Sequence, residues 1–196
     1  MTSAINEEVF VSFPNFETQR LLLRRFRLSD AERLFEIRSN FRVMRYMDTF
    51  PEPNIQAIRH KIQEMNLAFD LKLGLNWAIM DKQSDKMIGY FGIWRIEWDN
   101  CRGEIGYSLD PDYWGNGYMS EVFQTIIPFG FRQLNLHSME ANINPHNESS
   151  RKILLKHGFV KEAYFQENFF FDGQFLDSEI YSLLEKNFIS RPNSHS

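Results

Sequence analysis

The stretch SLDPDYWGNGYMSE, Ser108 to Glu121, constrains the fold more than any other part of this chain. A β-like run closes at Asp110-Pro111, Gly115-Asn116-Gly117 follows, and a helical pattern starts at once. The junction is either a plain tight turn or a loop whose bare N–H groups hold an anion. Glycines let a backbone approach a ligand closely. A helix start leaves several N–H groups unpaired at the positive end of the dipole, which suits phosphate. No Gly-Lys-Ser/Thr follows, so this is not a Walker loop, and no third glycine completes a dinucleotide fingerprint.

The rest of the pattern reads as one α+β domain around a mixed sheet, covering residues 1–188, with a polar tail at 189–196 expected to be disordered. TQRLLLRRF reads as a strand, and Ser29-Asp30 supplies capping chemistry for the helix AERLFEIRS. FRVMRYM continues helical as far as the prolines of FPEPN, and IQAIRHKIQEMNLAFDLK carries a helical apolar period. NWAIMD, MIGYFGIWRIEWD and EIGYSLD are strands joined by short turns, an antiparallel meander. After the glycine loop a helix is expected from about Tyr118 to Asn135, kinked at Pro128. HSMEANIN returns as a strand, NESSRKILLKH is a short helix stopped at Gly158, and FVKEAYFQENFFF and DSEIYSLLE are the last strands, joined at Asp172-Gly173.

Composition removes several classes of function. Hydrophobic residues at 43% and aromatics at 15% argue against disorder. A net charge of −4 without a basic stripe argues against nucleic acid, and the cluster Arg20 to Arg27 alternates with apolar residues as an edge or half-exposed strand would. The acidic balance suits a basic or amine substrate. One cysteine, Cys101, allows neither an intramolecular disulfide nor a cysteine-only metal site, and the spacing of His137, His146 and His157 fits no zinc signature. No apolar run approaches the roughly 20 residues of a membrane span. MTSAINEEVF lacks the basic start and apolar core of a signal peptide, so the cytoplasm is the expected compartment, with no membrane partner.

A second segment strengthens the anion reading of the glycine loop. In NPHNESSRKILLKHGF, Asn147 directly follows a strand, Ser150 lies three residues on, and the helix ends at Gly158-Phe159. Asn147 also has the chemistry of a helix cap, and the two roles are compatible. GEIGYSLDPDYWGNGYMSE followed at this spacing by NPHNESSRKILLKHGF resembles the GCN5-related N-acetyltransferases (GNAT), in particular the RimJ/RimL ribosomal-protein alanine acetyltransferase branch. The resemblance runs from about Thr18 to Glu185: TQRLLLRRFRLSDAERLFEIRSN is similar to that branch's opening and DGQFLDSEIYSLL to its closing hairpin.

The resemblance implies a GNAT fold, with a mostly antiparallel central sheet flanked by helices, and acetyl-CoA as cofactor, released as coenzyme A. It implies that EIGYSL and MEANIN splay apart around the pantetheine arm, with the backbone of Tyr107 and Leu109 pairing with its amides as an added strand does. The N–H groups of Trp114, Gly115, Asn116, Gly117, Tyr118 and Met119 would hold the diphosphate, and Asn147 would contact the arm. Two positions depart from the usual loop: Trp114 stands at its first place, and Met119 at a place normally small, where it is expected to crowd the helix start.

Amine acetylation needs a base for the attacking amine, an acid for the leaving thiolate and a donor for the oxyanion. Glu104, at the start of the strand lining the implied cleft, is the candidate base, and an N–H near Leu109 the candidate oxyanion donor. The tyrosine that many family members use as acid is replaced by Leu154, so Ser150 is the candidate acid and Tyr181 a distant third. One of Trp77, Trp94 and Trp98 is a candidate to line the acceptor pocket, and Arg42, Arg45 and Tyr46 are expected to border it. The implied partner is the α-amine of a protein N-terminus, such as that of a ribosomal protein, or a small-molecule amine, with the enzyme a monomer or homodimer. A non-catalytic acyl-CoA-binding module is the rival class, and it would share the glycine loop and Asn147.

Overall fold

The computed structural model describes residues 4–189, so most of the expected tail, from residue 190, lies outside the described residues. The strands are β1 (Phe16–Glu17), β2 (Leu21–Arg25), β3 (Leu75–Asp81), β4 (Lys86–Glu97), β5 (Arg102–Leu109), β6 (Ser138–Ile143), β7 (Val160–Phe171) and β8 (Gln174–Leu184). The helices are α1 (Ala31–Ser39), α2 (Phe41–Met44), α3 (Ile55–Asp70), α4 (Tyr118–Arg132), α5 (Glu148–Lys156) and α6 (Glu185–Ile189). All eight strands join one sheet in the order β1-β2-β3-β4-β5-β6-β8-β7. Every pairing is antiparallel except β5 with β6.

Both faces of the sheet are covered, which is why β3 is buried at every position. Alternate residues divide between two cores. Ala78 and Met80 join Leu34 of α1 and Ile58 and Ile62 of α3 on one face. Trp77 and Ile79 join Val122, Phe123 and Ile126 of α4 on the other. Leu154 of α5 packs into this second core, so the aliphatic side chain at the expected tyrosine position is a core residue. Phe123 is its aromatic centre: its ring meets Phe91, Tyr107 and Phe159 edge-on, with centroids 5.4, 4.9 and 6.3 Å away.

The turns follow their residues. Asp172 and Gly173 both take positive φ, 46° and 79°, as a two-residue type I′ hairpin requires. Gly158 ends α5 with φ 93°. The expected single helix over 31–47 is broken at Asn40, whose side chain accepts from the Arg42 N–H and starts α2 anew. α4 runs unbroken through Pro128 but stops at Arg132, short of the expected Asn135, which lies beyond it in a left-handed conformation with φ 61°. β2 is not an edge strand, because the two-residue β1 covers it, and Arg24 is buried against Asp30 with both nitrogen–oxygen distances 2.7 Å.

Phe123→Ala removes the ring on which Tyr107 rests. We expect it to lose about 3–5 kcal/mol of unfolding free energy in a denaturant titration, with a larger loss than at any half-exposed aromatic of the β7–β8 hairpin.

Candidate active site

β5 and β6 pair only at Arg102–Ser138, Gly103–Met139 and Glu104–Glu140, and then part. β5 stays bonded to β4 up to Leu109–Gly89, while β6 stays bonded to β8 up to Ile143–Glu179. The Asp110 N–H donates to the Ile88 carbonyl at 2.8 Å, on the β4 side. Main-chain direction alternates along a strand, so Ser108 and Gly106 share that side, and Leu109, Tyr107 and Ile105 turn their N–H and C=O toward the gap. The gap is a cavity of about 870 Å³ whose walls include both strands, the glycine loop, α2 and the β7–β8 hairpin.

At the wide end, the glycine loop enters α4. Gly115 and Gly117 take φ of 74° and 77°, a region that penalises a side chain, and a Cβ at Gly115 would meet nothing. Trp114 turns its indole back to donate to the Leu109 carbonyl at 2.9 Å. Met119, 9% exposed, packs into the core under α4 and also lines the cavity. Arg20 braces the loop from outside, donating to the Asn116 carbonyl at 2.9 Å and to Glu121 at 2.7 Å, with its guanidinium 4.2 Å over the Tyr118 ring. Burial alone would raise the Glu121 pKa, but bonds from Thr18 and Arg20 outweigh it and hold the carboxyl below the ordinary glutamate range. These groups form a cradle suited to a diphosphate, with N–H donors at the helix start and a nearby guanidinium.

Asn147 caps α5, accepting from the Ser150 N–H at 3.1 Å, and lines the cavity as well. Ser150 Oγ lies 2.7 Å from the Tyr107 hydroxyl, a bond that spans the parting between β5 and the element following β6. Burial pushes the Tyr107 phenol well above its usual value, so it stays protonated across the neutral range. Glu104 sits where the strands divide, its side chain 12% exposed and paired with Arg95 at 2.7 Å. Tyr181 stands apart: it is 2% exposed, donates to Glu179 and is not among the residues lining the cavity. Of the three tryptophans, Trp77 is core, Trp98 packs at the core's margin, and Trp94 lines the cavity. The Trp94 indole lies over the paired glycines Gly92 and Gly106, where any Cβ would collide with it.

The structure thus brings Glu104, Tyr107, Leu109, Ser150, Asn147 and most of the glycine loop to one cavity, with Arg42, Arg45 and Tyr46 on its walls. Four features had no visible sign in the sequence. They are the Tyr107–Ser150 bridge, the Arg20 brace, Trp94 on its glycines, and the Ser120 hydroxyl 2.8 Å from His157 Nε2. Each joins residues far apart in the chain or depends on which face a side chain takes.

The acetyltransferase (GNAT) domain model matches residues 20–160, and the chain belongs to that family. The chain is 34% identical over 173 residues to the uncharacterized N-acetyltransferase YoaA of Bacillus subtilis, covering 88% of this chain and 98% of the relative. It is also 34% identical over 79 residues to the ribosomal protein uS5-alanine N-acetyltransferase of Escherichia coli, covering 40% of this chain and 41% of that one. Spermidine N-acetyltransferase of Vibrio cholerae, solved with CoA and spermine, shares the fold with TM-score 0.77 at 20% identity, covering 88% of this chain and 100% of that one. The protein is an acetyl-CoA-dependent N-acetyltransferase.

Arg20→Ala removes the guanidinium that holds the Asn116 carbonyl. We expect KM for acetyl-CoA to rise on the order of tenfold while the amine KM changes little. Measured by initial rates, an equal rise in both would place Arg20 outside cofactor binding.

Proposed function

We propose that the acceptor is the α-amine of a polypeptide N-terminus, with Glu104 as base and Ser150 as acid. The observation that carries this reading is the shape of the acceptor half. The cavity adjoins a second one of about 460 Å³ near the hairpin tip, and both are lined by Arg45, Tyr46, Asp48 and Asn144. A chain attached to the reacting nitrogen therefore has a route away from the cleft. The uS5-alanine relative supports the same choice, since its named acceptor is an alanine of a ribosomal protein.

In this reading acetyl-CoA supplies the thioester. The Tyr107 and Leu109 main chain faces it from β5, and the N–H groups of Trp114 to Met119 face its diphosphate. The Asn147 amide keeps its Nδ2 donors for the arm, because its Oδ1 is engaged by Ser150. Glu104 takes the proton from the ammonium, directly or through water. Tyr107 and Ser150 share one hydroxyl–hydroxyl bond, and in this mechanism the protonated Tyr107 is its donor, which frees the serine proton for the departing sulfur. The Leu109 N–H is the donor for the oxyanion. A small polyamine is the second reading, favoured by the carboxylates of Asp48 and Asp177 among the cavity-lining residues.

Thiol release against a panel tests both readings. We expect turnover with a peptide bearing a free N-terminal alanine, and none when that amine is blocked. Turnover confined to spermidine would replace the first reading by the second. Glu104→Gln and Ser150→Ala should each lower kcat well beyond tenfold, within the roughly 10²–10⁴ range of acid–base groups. Tyr107→Phe should lower it less, because it removes only the donor behind the serine.

A further inference from the structure

Asp48 lies on the loop between α2 and α3, with a left-handed φ of 47°, and lines both the cleft and the second cavity. Its carboxylate accepts from one group, the Asn144 amide, whose Nδ2 is 3.0 Å from one oxygen and 3.2 Å from the other. Among the described residues no cation pairs with it. Two arginines lining the same cleft stack on aromatic rings, Arg42 over Trp114 at 5.0 Å and Arg45 over Tyr46 at 5.1 Å. Asp177, the other aspartate lining the larger cavity, differs. It accepts from the Tyr164 hydroxyl and from the Glu167 N–H at 2.7 Å, and these bonds draw its pKa below the ordinary aspartate range.

A half-buried carboxylate without a cation is costly, and nature usually pairs it. Burial raises the Asp48 pKa against the pull of Asn144, so the site favours whatever restores a positive neighbour. We propose that Asp48 is a specificity-determining residue that binds a positive charge of the acceptor, so that the enzyme selects ammonium-bearing acceptors over neutral ones of the same shape. The inference rests on the acetyltransferase reading and says which acceptors that reading admits. The charge is either the reacting ammonium or a second one further along the acceptor, since Asp48 borders both cavities.

The test separates acceptor charge from turnover. CoA-saturated wild-type protein is titrated calorimetrically with 1,4-diaminobutane, with 4-amino-1-butanol and with 1,4-butanediol, and the same series is run on Asp48→Asn, whose amide keeps the shape and a partner for Asn144. Thermal unfolding midpoints check that the variant is folded. We expect the wild type to bind the charged members at least tenfold more tightly than the diol, and Asp48→Asn to lose that preference while retaining its affinity for CoA. Loss for both amines assigns the reacting ammonium, and loss for the diamine alone assigns the second charge. An unchanged preference in a folded variant overturns the role of Asp48 and leaves the acetyltransferase reading intact. Should the variant fail to fold, the wild-type series decides: equal affinity for diamine and diol overturns the inference. Charge-selective binding without thiol release from any amine would instead overturn the catalytic reading and keep the recognition.

Discussion

β5 and β6 pair at three positions and then part, and the rest of the molecule is arranged around that parting. An open seam in the middle of a sheet leaves main-chain donors and acceptors without strand partners, which costs free energy wherever water is scarce. The seam persists because each strand is bound firmly on its other side, β5 to β4 and β6 to β8, and because two side chains replace part of the lost ladder. Trp114 caps the Leu109 carbonyl, and the Tyr107 hydroxyl reaches across to Ser150. What remains unpaired is a strand edge that faces a cavity, and an extended ligand with amides is the natural complement of such an edge.

The fork itself carries like charges. Glu104 and Glu140 are register partners in the last parallel pair, an arrangement that repels unless cations intervene. Arg102 binds Glu140, and Arg95 binds Glu104. Arg95 is three-quarters exposed, its side chain at 74%, and an exposed pair of this kind is worth little. Arg95 is therefore a partner that Glu104 can exchange cheaply, as the proposed base role would require. A buried arginine in the same place would have made the glutamate less accessible.

The half of the site proposed for the cofactor was legible in outline because backbone conformation shapes it. Gly115, Gly117, Gly158 and Asp172-Gly173 mark positions where φ must be positive, and the order of elements follows from those marks and from apolar periodicity. The errors arose where side chains decide. Tyr181, the third candidate for the acid, is held by Glu179 inside the β6–β8 ladder and is not among the residues lining the cavity. The break at Asn40 was missed because a short apolar period continued across it, while the asparagine's own capping bond to Arg42 ended the helix.

The acceptor half was legible only in outline, for the same physical reason. Its walls come from residues 41–48, 142–147 and 168–178, joined by contacts such as Asp48 with Asn144 and Phe50 with Phe171, whose rings lie 4.7 Å apart. No local pattern encodes a bond between residues so distant in the chain. The separation also has a functional consequence. A cofactor held by main-chain groups tolerates many side-chain changes, whereas an acceptor held by side chains on two loops and a hairpin responds to each of them. A shared fold can then coexist with different amines: spermidine is the named substrate of one neighbour in this fold, and an alanine of ribosomal protein uS5 that of a relative in sequence. In this chain the proposed distinction falls on the loop carrying Asp48, which is tied to the residues after β6 by the Asp48–Asn144 bond and to α1 and α3 by the ion pairs of Glu52 with Arg38 and Lys61.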